Sequence, residues 1–541
     1  MKTQIAGVLL LFATVANAAP PQTVPCEILI PVLDAKQAVV TANAPDGKSY
    51  PLFRMAPATA LVANVRSELD KSFAQQALRL DRYARNLLVV RRESAHTPVE
   101  EWLAAPMYLL MSTEEGGFAR FGFWLEDASG KRKLVLAGYV DLVISQQSID
   151  RGDFEEIFSH ELGHLILRSL TGGVGRGPSR KMHQSMVVTD YPTAFDEGYA
   201  EHFQPLVRDA TANAYLRKMM SGTTASDLEL LWLSAADGQL RTDGVKRNLF
   251  IHRKPLPGLA LDPNPDLYRL FVEDDTSTTF LPTKLKNAQE MMASEGVIAT
   301  LFYRIVNDNR LRNHYREGAF YAPFLSDHVE APENAITPYE NVNLKLFAAM
   351  EKLNGSGWSR PPMISLVDQY AKLFPDEAKR MYELFIETTW GATVSLPLAS
   401  GLQRAATDAG RGDLAAYRQD HAFQLLDSII AQVTDEREAL DANLGPELWL
   451  ANTGFKIAPA VWETKRTEPL TMNLNTASAA ELMTVPGMDL AMARKILAAR
   501  DARGSFRSLD DLREAGVSAE GIAQLREMQA AMVQLGNYER R

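Results

Sequence analysis

A single cysteine, Cys26, occurs in 541 residues, which excludes an internal disulfide and leaves the fold to rest on its core. Beyond the N-terminus no run is long and apolar enough to span a bilayer, which takes about 20 residues. There is no fixed-period repeat and no low-complexity tract, so solenoid and fibrous architectures drop out. Positive charge is not in excess either: 57 Lys and Arg against 67 Asp and Glu give a net charge of -10. That argues against nucleic acid as the partner of the whole chain but leaves room for a local basic site. A hydrophobic content of 46% and a charged content of 23% are those of an ordinary globular protein, and the length suggests about three or four folding units.

The first residues carry an address. Lys2, the apolar stretch from Ile5 to Val15 and the small-x-small Ala16-Asn17-Ala18 form the pattern of a secretory signal peptide, cut after Ala18 or after Ala19. The competing reading, an uncleaved membrane anchor, needs a longer apolar run. Export without disulfides suits a bacterial periplasm, so the expected location is periplasmic or secreted, with no transmembrane segment after cleavage. Val24-Pro25-Cys26 lacks the small residue that precedes a lipid-anchored cysteine.

After a signal over 1–18, the chain divides by pattern. Residues 19–210 mix short β-rich runs with helices, 211–455 read as mainly helical, 456–470 as a linker and 471–541 as a small all-α unit. Strands are expected at Met107–Leu110, Phe118–Leu125, Lys133–Ala137 and Tyr139–Ser145, and helices at Arg66–Arg92, Ala212–Met220, Lys286–Asn307, Val342–Leu353, Met363–Thr389 and Asp413–Asn443.

The chemistry gathers at Ser159-His160-Glu161-Leu162-Gly163-His164. Two histidines four residues apart share one helix face and can converge on one metal ion, with Glu161 close to any water the ion holds. The helix should start with Asp150 or Asp153 as N-cap, carry Glu155 and Glu156 in its first turn and stop at Gly172-Gly173. Apolar residues surround it, so its polar patch would be buried and in need of a partner.

A catalytic zinc takes three protein ligands and keeps one position open. The third ligand is expected at Glu197, in Ala194-Phe-Asp-Glu-Gly-Tyr-Ala-Glu-His-Phe203. Glu201, one turn on, would accept the second N–H of a ligand histidine. Glu295-Gly296 is a rival for the third position. His202 is expected on the helix surface or behind the ligands, and His183 either at substrate or simply exposed.

An H-E-x-x-H helix followed tens of residues later by E-G-x-A resembles the gluzincin metallopeptidases, the group of thermolysin and aminopeptidase N. The resemblance covers roughly residues 105–210. It implies an α+β zincin-like catalytic domain, a mixed β-sheet plus the H-E-x-x-H helix, with one Zn2+ ion on His160, His164 and Glu197 and Glu161 as general base. The implied activity is hydrolysis of peptide bonds in a peptide or protein substrate. It also implies an edge strand over the cleft, for which Tyr139–Ser145 stands in the expected place. The chain departs from the family in a His164-to-Glu197 gap longer than that of aminopeptidase N and in lacking a G-x-M-E-N exopeptidase signature. The tyrosine or histidine that stabilises the family's transition state matches no motif here, which leaves Tyr303, His314, Tyr315 and Tyr321 as candidates.

Residues 472 to about 531, with Val485-Pro-Gly-Met-Asp489, Ala493-Arg-Lys-Ile-Leu-Ala-Ala-Arg500 and Gly504-Ser-Phe-Arg507, resemble the tandem helix-hairpin-helix module of competence-type DNA receptors. In that family backbone N–H groups between two glycines grip a phosphate, which points to Gly487, Arg494 and Lys495 as DNA or partner contacts. Here Asp489 replaces the second glycine, and 471–541 holds 9 basic and 9 acidic residues. A structural or protein-docking role is therefore expected ahead of DNA contact. The alternative for the whole chain is a periplasmic DNA-binding or scaffold protein with a structural or vestigial zinc domain.

Overall fold

A computed structural model of the chain describes residues 23–535, apart from Glu115, Arg176, 180–182, Met186, 220–237, 254–284, 326–329, 354–359, 400–420, 434–435 and 458–467. The expected signal peptide, the start of the Asp413–Asn443 helix and most of the expected linker lie outside the described residues. The class is mixed α and β, with a small helical region at the C-terminal end.

Six N-terminal strands make one sheet: β1 (Cys26–Pro31), β2 (Thr41–Asn43), β3 (Ser49–Met55), β4 (Met107–Met111), β5 (Gly117–Glu126) and β6 (Arg132–Leu142). Their order is β1-β4-β6-β5-β3-β2, and β1 also pairs with β3, so five of them close on themselves. The enclosed space is filled by Phe53, Tyr108, Phe123 and Tyr139, whose rings meet at centroid distances of 5.0–5.4 Å. Edge-to-face pairs of this kind add about 0.5–1.5 kcal/mol each beyond the area they bury.

The two strands expected on either side of Gly138 are one continuous strand, β6, paired to β4 on one side and β5 on the other. It is therefore an inner strand and not the edge expected at Tyr139–Ser145. An open stretch lies instead on β5, which pairs with β3 only at Trp124–Glu126 and leaves Gly117–Phe123 without a ladder on that side among the described residues.

Helices cover the closed sheet. The expected Arg66–Arg92 helix is two, α1 (Ala60–Leu69) and α2 (Ser72–Ser94), parted at Asp70-Lys71. The motif helix is likewise preceded by a short one: α3 (Gln146–Arg151) ends at Gly152, whose φ of 81° opens α4 (Asp153–Thr171). Neither expected aspartate caps α4; Gly152 does, because a side chain there would strike Leu216 and the left-handed turn suits glycine. The helix stops at Gly172, φ 73°, as its sequence asks. Next come α5 (Tyr191–Glu201), capped by Asp190, and α6 (Phe203–Ala210).

In the helical region the expected Lys286–Asn307 helix breaks after Met292 and resumes as α7 (Glu295–Asn307). The break is where the segment before α5 crosses: Val188 bridges Ser294, Thr189 N–H donates to Ala293, and Gly296 N–H donates to Ser185. Pro375 splits the expected Met363–Thr389 helix into α8 (Pro362–Leu373) and α9 (Pro375–Thr389).

At the C-terminal end, β7 (Trp449–Ile457) and β8 (Glu468–Asn473) pair antiparallel, so the two flanks of the expected linker lie side by side. α10 (Ala479–Leu482), α11 (Leu490–Arg503) and α12 (Ala519–Gln534) follow. This region is docked by buried polar contacts: Arg500, 2% exposed, pairs with Glu290 at 2.6 Å, and Asn473 donates to Gln289 at 2.9 Å. No helix among the described residues is long and apolar enough to cross a membrane.

Candidate metal centre

Two close helix crossings build the site. Where α4 meets α5, a Cβ on Gly163 would lie 3.0 Å from the Ala200 backbone and 3.1 Å from the Phe203 ring. Where α5 meets α7, a Cβ on Gly198 would lie 2.7 Å from the Glu295 carbonyl and 2.7 Å from Ile298. The small residues of H-E-L-G-H and E-G-x-A are therefore packing requirements, and they let polar side chains on neighbouring helices converge.

His160, His164 and Glu197 are brought together, each offering a ligand atom within 4.8 Å of the others. Glu197 Oε2 stands 3.6 Å from His160 Nε2 and 3.3 Å from His164 Nε2. That buried oxygen makes no hydrogen bond of normal geometry. Ligands about 2.0–2.1 Å from a tetrahedral zinc stand about 3.3–3.4 Å apart, so the residues fit a zinc ion. Glu161, 7% exposed, lies beside them against β5: a Cβ on Gly117 would come within 2.9 Å of its Oε1.

The charges support one another. Burial opposes a charge on His164, but Asp196 and Glu197 outweigh it and hold the imidazole well above its ordinary pKa. Burial likewise opposes ionisation of Glu197, and His183 and His164 overcome it, holding the carboxyl well below its usual range.

The group behind the histidines is Asp196, which the sequence reading missed: its Oδ1 is 2.9 Å from His164 Nδ1. A carboxylate there would fix the tautomer that leaves Nε2 free to ligate an ion. Glu201 does not take that place. It is fully buried one turn deeper, accepts from Ser185 Oγ at 2.6 Å and lies against Glu295; burial first, then the Glu295 charge, raise it well above the usual carboxyl range.

Glu295 is not grouped with His160 and His164. It holds His183, whose Nδ1 is 3.3 Å from Glu295 Oε2 and whose Nε2 is 3.4 Å from Glu197 Oε1. His202 is not on the surface: it is fully buried between Phe203 and Phe302, close enough to feel the His160 charge, and burial pushes it down to about 3 while its Nδ1 donates to the Tyr199 carbonyl. The four candidates for transition-state stabilisation are engaged elsewhere: Tyr303 with Asp209, Tyr315 with the Ile336 carbonyl, Tyr321 with Asn341, and His314 with Asp376 and Glu377.

The loop before α5 is tied from both sides. Asp190 accepts from Thr193 N–H, Ser179 N–H and Ser179 Oγ. The space beside it is closed to any side chain on Gly177, and Thr471 of β8 donates to the Pro178 carbonyl. Glu447, close enough to feel the Asp190 charge, is pushed up to about 7, chiefly by burial.

In the C-terminal region Gly487 turns the first hairpin at φ 77°, and Gly516 turns a second at 84°. Asp489 caps α11, accepting from Met492 N–H at 2.8 Å. Arg494 and Lys495 stand exposed on α11, whereas Arg500 is buried and Arg503 pairs with Asp511 and Glu514. Residues 471–528 match the helix-hairpin-helix motif family. No curated protein and no solved structure matches the chain. The chain is thus a mixed α/β protein carrying a helix-hairpin-helix region.

Proposed function

We propose that the chain is an exported, periplasmic or secreted zinc-dependent metallopeptidase of the gluzincin type, acting on a peptide or protein substrate. The observation that carries this reading is the spacing of His160 Nε2 and His164 Nε2, at 3.6 and 3.3 Å respectively from Glu197 Oε2, beside Glu161 as the candidate base. A zinc ion held by His160, His164 and Glu197 would supply Lewis acidity toward a carbonyl and a water. Glu161 takes the proton from the attacking water and passes it to the leaving amine. Asp196 keeps His164 in its ligating tautomer. The side of β5 over Gly117–Phe123 that has no ladder partner among the described residues offers backbone N–H and C=O groups to an extended peptide, with Gly117 against Glu161. The test is a pair of variants: Glu161→Gln keeps zinc and loses cleavage, and Glu197→Ala loses zinc.

A second reading, a DNA-binding or scaffold protein with a structural zinc domain, draws on the helix-hairpin-helix match and on exposed Arg494 and Lys495 beside Gly487. Asp489 at the N-terminus of α11 sets a carboxylate where a phosphate would sit, which favours protein docking. Salt-dependent binding of the full chain to duplex DNA decides between them.

A further inference from the structure

Glu197 presents only one of its oxygens to His160 and His164. The other, Oε1, faces His183 Nε2 at 3.4 Å. His183 also reaches Glu295 Oε2 through Nδ1 at 3.3 Å. A ring nitrogen of His183 and one oxygen from each glutamate lie within 4.8 Å of one another.

From this arrangement we propose a second divalent-cation site formed by His183, Glu197 and Glu295, with Glu197 bridging it to the first. It rests on the metallopeptidase reading, because Glu197 is shared. One imidazole and two carboxylates are donors that suit zinc or manganese. A bridging carboxylate holds two ions about 3.5–4 Å apart, the spacing of two-metal hydrolases.

Three features favour an ion over a simple charge cluster. Glu197 and Glu295 set two carboxyls around the one imidazole of His183, with Glu295 buried, where negative charge is costly unless it is balanced. The His183 loop is held in position independently of any ion, by Gly296 N–H donating to Ser185 and by the Val188–Ser294 bridge. And the His183 side chain is 46% exposed, whereas Glu295 is 3% exposed, so the site has an entrance and a buried floor.

The test uses the full chain stripped with chelator, dialysed to equilibrium against zinc, with bound metal counted by mass spectrometry. Two zinc ions per wild-type chain are expected, and one in His183→Ala, a half-exposed position that spares the core. Glu295→Gln, which keeps its shape, should lose the same second ion. One zinc in the wild type, or two in His183→Ala, overturns the proposal. A single wild-type zinc whose affinity drops in His183→Ala also overturns it, making His183 a fourth ligand of the first ion. Failure of the first site is distinguishable, because the His160→Ala, His164→Ala double variant would then bind as much zinc as wild type.

Discussion

Gly198→Ala sets two effects against each other. In an isolated helix the change adds about 0.8–1 kcal/mol of helix propensity and should stabilise α5. At this position the new Cβ would sit 2.7 Å from the Glu295 carbonyl oxygen and 2.7 Å from the Ile298 Cβ. Both belong to α7 and neither is the end of a flexible side chain. Restoring ordinary contact requires α5 and α7 to part by about 0.7 Å, and overpacking of this kind costs about 1–3 kcal/mol. Packing therefore wins, and the variant is less stable. The larger effect falls on the neighbouring Glu197, because metal ligands tolerate only about 0.2 Å of displacement. Zinc affinity should drop about 10–100-fold, the loss typical when a ligand's support is disturbed. Competition with a chromophoric zinc chelator measures the affinity, and a thermal melt in chelator measures the stability. A variant that binds zinc like the wild type and melts no lower would refute the close crossing as the device that places Glu197.

Other predictions follow from contacts at and around the centre. Asp196→Asn exchanges the carboxylate on His164 Nδ1 for an amide that can present its nitrogen instead, so zinc affinity falls about 10–100-fold in the same competition assay while the fold is kept. Arg500→Ala strips Glu290 of its 2.6 Å partner and leaves the Ala477 carbonyl without a donor. Arg253 still pairs with Glu290, so the cost lies near the low end of the 3–5 kcal/mol range for a broken buried pair, about 3 kcal/mol; faster hydrogen exchange over 471–503 reports it. Burial, then Asp190, raise Glu447 from 4.5 to about 7. A carboxyl raised on folding binds more protons in the native state, so its contribution weakens as pH climbs between those values and levels off above them. Glu447→Gln removes that slope from a pH series of melts run in chelator.

What the sequence made legible was local. α4 could be read because its histidine spacing, its first-turn acids and its terminal glycine all lie within one helix, and Glu197 because glycine and alanine follow it at helical spacing. Non-local pairing decided the rest. The resemblance to the gluzincins pointed to Tyr139–Ser145 as the edge, but ladder partners put β6 inside the sheet and left the first half of β5 without a partner on one side among the described residues. Glu201 shares a helix face with Glu197, yet one turn carries it down to Glu295 rather than across to a histidine. Asp196 touches His164 because of how α4 and α5 cross, which no spacing within α5 reveals. His183 is placed by the pairing of residues 185–189 with 293–296, segments a hundred residues apart. The helix-hairpin-helix signature was plain, but its most buried arginine serves docking to Glu290 rather than a ligand.

The most direct measurement of the central claim is cleavage of a peptide library by the zinc-loaded full chain beside Glu161→Gln, with zinc counted in both. The account predicts equal zinc in the two proteins and a fall in cleavage of about 10²–10⁴-fold on losing the general base. Cleavage undiminished in Glu161→Gln, or none by the zinc-loaded wild type, would contradict it.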